Sequence, residues 1–538
     1  MNARRQLVVL VLLGVVLLVG LVLRVGLILS KDGVHHEEGI TYLAATGHQG
    51  EYERLVVPGQ GLVGTWVPAD EWKRLIRPER LLVFRTIGAD LAAYDVHPPL
   101  YFWLLHLWVW TFGVFVASGP LFNVPVAALT AVALFLVARH LLGDSLAACA
   151  VTAVWAVSLP VTEVSALARQ YDLLTLFTVL CAWATHRFTD AARAPGTVDV
   201  ALLALIVAGG ALTHYHFAVV VAGGATLLAL THWRRPERKR LVLFAVAVML
   251  GASLLVAAHP NLARSFPRQA QLAQASAKAG LSTRIDRATT TVARFFGVIP
   301  GTNAPLVQAG RGGVPLVPAA LAGAALVLVL RPASRRTLIQ RWREAPRTGL
   351  SALFFLAWTL GTLLLLYFTF RSPQHAMAPR YLAPVWPFLA FMPFFAFRLL
   401  WPSAAWWLTL LYCALVLLPG SVAATRPRPS LDGRAEMVRA GEVVLDNASR
   451  GGVTRLLFHL PDASRIFVDT QPELLRHPSR WADSLGVGSL YVSPVEYGSR
   501  EQQQQLVRLL SERYTLKRAR WPSRPAPIVY EIQGALGR

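Results

Sequence analysis

Hydrophobic residues come in long unbroken runs. The first extends from about Leu7 to Ser30. Others follow at about 119–139, 144–160, 171–187, 198–213, 214–232, 240–259, 314–331, 350–370, 380–400 and 403–423. Each is long enough, or nearly so, to cross a hydrocarbon core about 30 Å thick as a helix. No small-residue cleavage pattern precedes Lys31, so the first run reads as an uncleaved signal anchor. Residues 98–117 are apolar too, but they open on Pro98-Pro99 and carry Trp103, Trp108 and Trp110, a density that favours the membrane interface. After about Thr425 the pattern changes. Short β-like runs (Arg455–Leu460, Arg465–Asp469, Ser489–Val492, Ile528–Ile532) alternate with a polar helical stretch, Glu501–Tyr514.

Composition agrees with a membrane protein: 54% of residues are hydrophobic and 15% charged, against about 25% charged in soluble domains. The formal net charge of +22 would point to nucleic acid in a soluble chain. Here the basic residues gather in short runs between apolar segments, at Arg234–Arg240 and from Arg331 to Arg347, as cytoplasmic loops do. No nucleic-acid partner is expected. Cys149, Cys181 and Cys413 all fall inside apolar runs and imply packing, not a disulfide framework.

Charge parity orders the runs. With Arg4 and Arg5 inside, both basic loops fall inside only if 98–117 lies in the outer interface. The expected fold is an α-helical polytopic membrane protein of about eleven spans. Residues 1–424 form the transmembrane domain, with a first outer loop at 31–118, and 425–538 form a small extracytoplasmic α/β domain. The cell membrane is the expected location, with the N-terminus cytoplasmic and the C-terminus outside.

This topology collects the reactive side chains on the outer side. His35-His36-Glu37-Glu38 follows the first run, and Asp95-Val96-His97-Pro98-Pro99 closes the same loop. Acids near a bilayer are costly to desolvate and mark a functional site by default. Consecutive glutamates point in different directions, so one of Glu37 and Glu38 is expected to face a cavity; as a mere boundary turn, both would only favour the helix dipole. Arg169-Gln170-Tyr171-Asp172 opens a span, where Asp172 could equally be a cap. His214-Tyr215-His216 interrupts two apolar runs; a metal pair is the weaker reading because i and i+2 share a face only on a strand. His375, Arg380 and Tyr381 precede a proline-rich span, and Arg380 suits a phosphate or a snorkelling position.

Together these motifs resemble the multispanning GT-C class of polyprenyl-phosphate-sugar-dependent glycosyltransferases. Asp95–Leu100 resembles the Asp-Val-His-Pro-Pro-Leu element of protein O-mannosyltransferases. Arg169–Asp172 is similar to an Arg-x-x-x-Asp element shared with lipid A aminoarabinose transferases, one residue shorter here. The acidic pair resembles that class's Asp-Glu motif, with Glu in place of Asp. Tyr101-Phe102 follows where the O-mannosyltransferases have Lys, which leans toward lipid or polysaccharide acceptors over protein. The resemblance implies transfer of one sugar from a polyprenyl-phosphate donor to an acceptor hydroxyl, with inversion. Glu37 or Glu38 would be the base, and Asp172 is also a catalytic candidate. Asp95, His97, Arg169, His214, His216, His375, Arg380 and Tyr381 would bind substrate. No diphosphate is handled, so no metal or other cofactor is required. Membrane lipids are the surrounding partners. A transporter or flippase is the first rival, and it predicts charges near mid-span; a scaffold presenting the tail is the second.

Overall fold

The computed structural model describes residues 3–31, 33–57, 61–95, 97–190, 193–232, 238–259, 262–263, 265, 292, 294–297, 358, 379–425, 439–494, 498–519 and 528–536. They divide into two compact units. The first comprises Met1–Leu27, Asn123–Ala166 and Gln170–Arg426; the second comprises Ile28–Phe122, Leu167–Arg169 and Pro427–Arg538.

Helices come in the order α1 (Ala3–Leu29), α2 (His36–Ala45), α3 (Gln49–Leu55), α4 (Ala69–Arg74), α5 (Phe84–Tyr94), α6 (Leu100–Phe112), α7 (Ser118–Leu142), α8 (Ser145–Val157), α9 (Leu159–Ser165), α10 (Tyr171–Thr189), α11 (Thr197–Thr213), α12 (Phe217–His232) and α13 (Arg238–Ala258). In the first unit, α1 buries Val9, Val16 and Leu23 on one side. It leaves Leu7, Leu10, Val11, Leu18 and Val22 exposed, as a helix against lipid does. Four described helical segments are long and apolar enough to cross a membrane: Ala3–Leu29, Ser118–Leu142, Arg238–Ala258 and Ala405–Thr425. The pair α8 and α9 meets the same length and apolarity only when taken together, and it is bent by 61° at the break, as a broken span or a re-entrant loop is. Ser158 is extended at the bend, and Pro160 sits in the first turn of α9, where its missing N–H costs no helical bond.

The sequence-expected spans at 314–331 and 350–370 lie outside the described residues, apart from Trp358. The single run expected at 380–400 is instead a set of short pieces, Pro379–Leu382, Trp386–Leu389 and Phe391–Leu400. Pro384 and Pro387 fall between or within the first two, where proline removes backbone donors.

In the second unit, α6 has 13 residues, about 20 Å at 1.5 Å per residue and short of a ~30 Å core. Pro98-Pro99 precedes it. Gly113 ends it with φ +77°, a conformation that glycine adopts without strain. The tail builds a sheet from β2 (Glu442–Leu445), β3 (Arg465–Val468), β4 (Leu490–Ser493), β5 (Tyr514–Ala519) and β6 (Ile528–Ala535). The segment between α1 and α7 adds β1 (Trp66–Pro68), so the order is β1-β3-β2-β4-β6-β5. β3, β2 and β4 are parallel, and the other pairs are antiparallel. Trp66 lies opposite Phe467, their rings 5.5 Å apart.

The sequence reading kept 31–118 with residues 1–424. Here β1 closes the edge of the tail sheet and α2 packs against the tail helix Arg450–Leu457. That helix also corrects the β-like reading of Arg455–Leu460. Ser449 caps it, and Val453, Leu456 and Leu457 bury at helical spacing.

Candidate functional site

The acidic pair opens α2. His35 precedes the helix in an extended conformation, its Nδ1 accepting from the Glu37 N–H at 3.3 Å. Glu38 reaches back to accept from the His35 N–H at 2.8 Å, a capping-box arrangement. Glu38 also takes Lys31 Nζ on both oxygens, at 2.6 and 2.8 Å, and the Ala168 N–H on Oε1 at 2.8 Å. Four hydrogen bonds fill the lone-pair sites of one carboxylate. Glu37 differs: its Oε2 lies 3.8 Å from Arg169 Nε, and its side chain keeps 16% exposure against 1% for Glu38.

Arg169 connects the pair to the second motif. Nη1 donates to Thr41 Oγ1 at 3.1 Å, and Nη2 meets His97 Nε2 at 3.0 Å. A guanidinium only donates, so His97 Nε2 must accept and its proton sits on Nδ1. Nδ1 lies 2.6 Å from Asp95 Oδ1 and donates to it. Burial works to raise the Asp95 carboxyl. His97, Arg169 and Arg450 outweigh it and hold the group well below the ordinary carboxylate range. The structure therefore brings Glu37, Glu38, Asp95, His97 and Arg169 together within the second unit.

The other candidates belong to the first unit. Asp172, in the first turn of α10, is buried, hydrogen-bonds Ser165 and lies in the field of Arg24. Arg24 is 3% exposed inside α1. Its Nε donates to Ser165 Oγ at 3.1 Å, and Nη1 donates to the Gly20 and Ala156 carbonyls at 3.0 and 2.9 Å. The guanidinium sits 5.0 Å from the Trp155 ring.

Farther along, the rings of Tyr171 and His214 are 6.0 Å apart, and those of Tyr171 and Tyr381 5.9 Å. His214 and His216 stack at 4.4 Å, with the His216 N–H donating to His214 Nδ1 at 3.1 Å. Arg380 lies 5.2 Å from the Tyr381 ring. His375 falls outside the described residues. Among the described residues no three metal-ligating side chains gather. Sequence reasoning passed over Arg24, Lys31 and Arg450; a lone arginine within an otherwise apolar run was the available signal for the first.

Residues 96–259 match the model of the dolichyl-phosphate-mannose-protein mannosyltransferase family. The matched segment holds His97, Arg169, Asp172, His214 and His216, whereas the acidic pair lies upstream and Arg380 downstream. No curated protein matches the chain by sequence. Among solved structures, the chain is similar to ArnT from Cupriavidus metallidurans bound to undecaprenyl phosphate, at 12% identity and TM-score 0.47. The apo state of that protein gives 13% and 0.49, and in both cases 98% of each chain is covered. An Archaeoglobus fulgidus oligosaccharyltransferase tethered to an acceptor peptide with the NVT sequon is similar at 13% identity and TM-score 0.44, over 85% of this chain and 64% of that one. At these identities and scores the likeness assigns no role to any residue.

Proposed function

We propose that this chain is an integral-membrane glycosyltransferase of the GT-C kind, moving one sugar from a polyprenyl-phosphate donor to an acceptor hydroxyl at the outer face. The observation that carries the reading is the division of labour within the acidic pair. Glu38 is saturated by Lys31 and two backbone N–H groups, whereas Glu37 stands partly exposed beside Arg169. The family match over 96–259 supports the donor class, since that family's name specifies a lipid-phosphate sugar.

Glu37 is the proposed base. Its carboxylate takes the proton of the acceptor hydroxyl as that oxygen attacks the anomeric carbon. The bond from that carbon to the phosphate oxygen breaks, its electron pair leaves with the polyprenyl phosphate, and direct displacement inverts the centre. Arg169 is the proposed partner for the negative charge gathering on the leaving phosphate. Asp95 orients His97, and His97 holds Arg169. Glu38 positions the start of α2. Asp172, His214, His216, Arg380 and Tyr381 are proposed as further substrate-binding or positioning residues, each open to single substitution.

The test is a panel of radiolabelled polyprenyl-phosphate sugars given to the purified full chain in nanodiscs, following release of polyprenyl phosphate. At least one donor is expected to be cleaved. Glu37→Gln should abolish cleavage with little change in unfolding temperature. Glu38→Gln should lower the unfolding temperature while folded protein still turns over. Full transfer by Glu37→Gln sinks the base assignment, and no cleavage of any donor sinks the transferase reading.

A further inference from the structure

The tail helix Arg450–Leu457 crosses α2, the helix that carries the acidic pair, with a glycine at each contact. A Cβ on Gly39 would overlap Thr454 Oγ1, and one on Gly451 would lie 2.8 Å from the His36 carbonyl oxygen. Side chains at these positions would push the two helices apart, so the glycines permit the close approach. The N-terminal end of the tail helix is held in place: Ser449 Oγ caps it by accepting from the Gly452 N–H at 3.2 Å, and Tyr52 of α3 donates to the Ala448 carbonyl just before it at 2.8 Å.

Arg450 begins the tail helix. Its Nε lies 3.0 Å from Glu53 Oε1 on α3, and its charge is one of three that act on Asp95. Its buried Nη1 has no hydrogen-bond partner among the described residues. Charges therefore alternate through one neighbourhood: Glu53, Arg450, Asp95 with His97, Arg169, Glu37. The family match ends at 259, upstream of the tail.

We propose that the tail domain completes the transfer site, seating its Arg450–Leu457 helix on α2 and supplying Arg450 as a positioning residue for Asp95 and, through His97, for Arg169. This rests on the transferase reading above. Without Arg450, Glu53 and Asp95 lose their shared cation, and the arm that holds Arg169 loses its counterweight.

The experiment uses the full chain in nanodiscs, with the donor that the panel identifies and with amide hydrogen exchange of α2. Arg450→Gln should lower kcat about tenfold and leave KM within about twofold, because misplacement acts on the reacting geometry more than on binding. Arg450→Lys should regain most of the loss. Gly451→Ala should lower kcat in the same direction, and both Gln and Ala variants should speed exchange in α2 by about tenfold. Arg500→Gln, at an exposed position in the first turn of the tail helix Arg500–Ser511, should change nothing. Parental kcat in Arg450→Gln overturns the positioning role, and so does a loss that Lys does not repair. Unchanged α2 exchange in both variants overturns the seating. A parental chain that cleaves no donor overturns the transferase reading, and α2 exchange then decides the seating alone.

Discussion

Two arginines, one in each compact unit, are buried alike but held by different kinds of partner. Arg24 is inside α1 and donates to two backbone carbonyls and a serine hydroxyl, with Trp155 beneath it. Its hydrogen-bond acceptors are fixed dipoles that do not titrate. Arg169 donates to a threonine and meets His97 Nε2, with a glutamate carboxylate 3.8 Å away. Its partners can exchange protons or give way to a ligand. Burial is similar, 3% and 5% exposed, so burial does not tell them apart. The partners do.

Substitutions can break this contrast. The largest expected effect is Arg169→Gln, which should lower donor cleavage about a thousandfold, as loss of a charge-stabilising donor does, far beyond its cost in unfolding of about 1–2 kcal/mol. Arg24→Gln should do the reverse. It removes three buried hydrogen bonds from a charged donor and should cost about 3 kcal/mol in unfolding, while the folded fraction turns over within a few-fold of the parent. If Arg24→Gln lowers turnover and spares stability, the two roles have been assigned the wrong way round. His97→Gln should fall between, at about thirtyfold in kcat, because Arg169 loses its orienting acceptor and Asp95 its donor. The smallest is Thr41→Val, which removes one acceptor of Arg169 and should cost about 1 kcal/mol in unfolding with a few-fold loss of rate. An intact rate in both His97→Gln and Thr41→Val would mean that Arg169 needs no scaffold.

The sequence showed some of this and hid some of it. Helix positions followed from the apolar runs: the runs at 171–187 and 198–213 are α10 and α11, each within about two residues. His97 and Asp95 were visible because two prolines mark the place where their helix begins. The division between Glu37 and Glu38 was not visible. It is decided by Lys31, close by, and by the Ala168 N–H, 130 positions away, and no local pattern announces that second partner. Arg24 is linked to Ser165 across 141 positions, with only its isolation in an apolar run to mark it. The tail strand β2 was missed because its three buried residues, Val443–Leu445, lie between two parallel neighbours and show no alternation to read. β1 is three residues long and exists as a strand only because β3 offers it an edge.

That last pairing sets an order in time. Tyr52 and its acceptor Ala448 are 396 positions apart, and β1 joins β3 over a comparable separation. Synthesis runs from the N-terminus, so the segment between α1 and α7 emerges while the strands and helix it must meet do not yet exist. Contacts of such long range form late and slowly. The segment bearing the acidic pair therefore waits through the insertion of every later span, and a ribosome stalled before the tail would release a membrane-inserted chain whose β1 has no sheet to join.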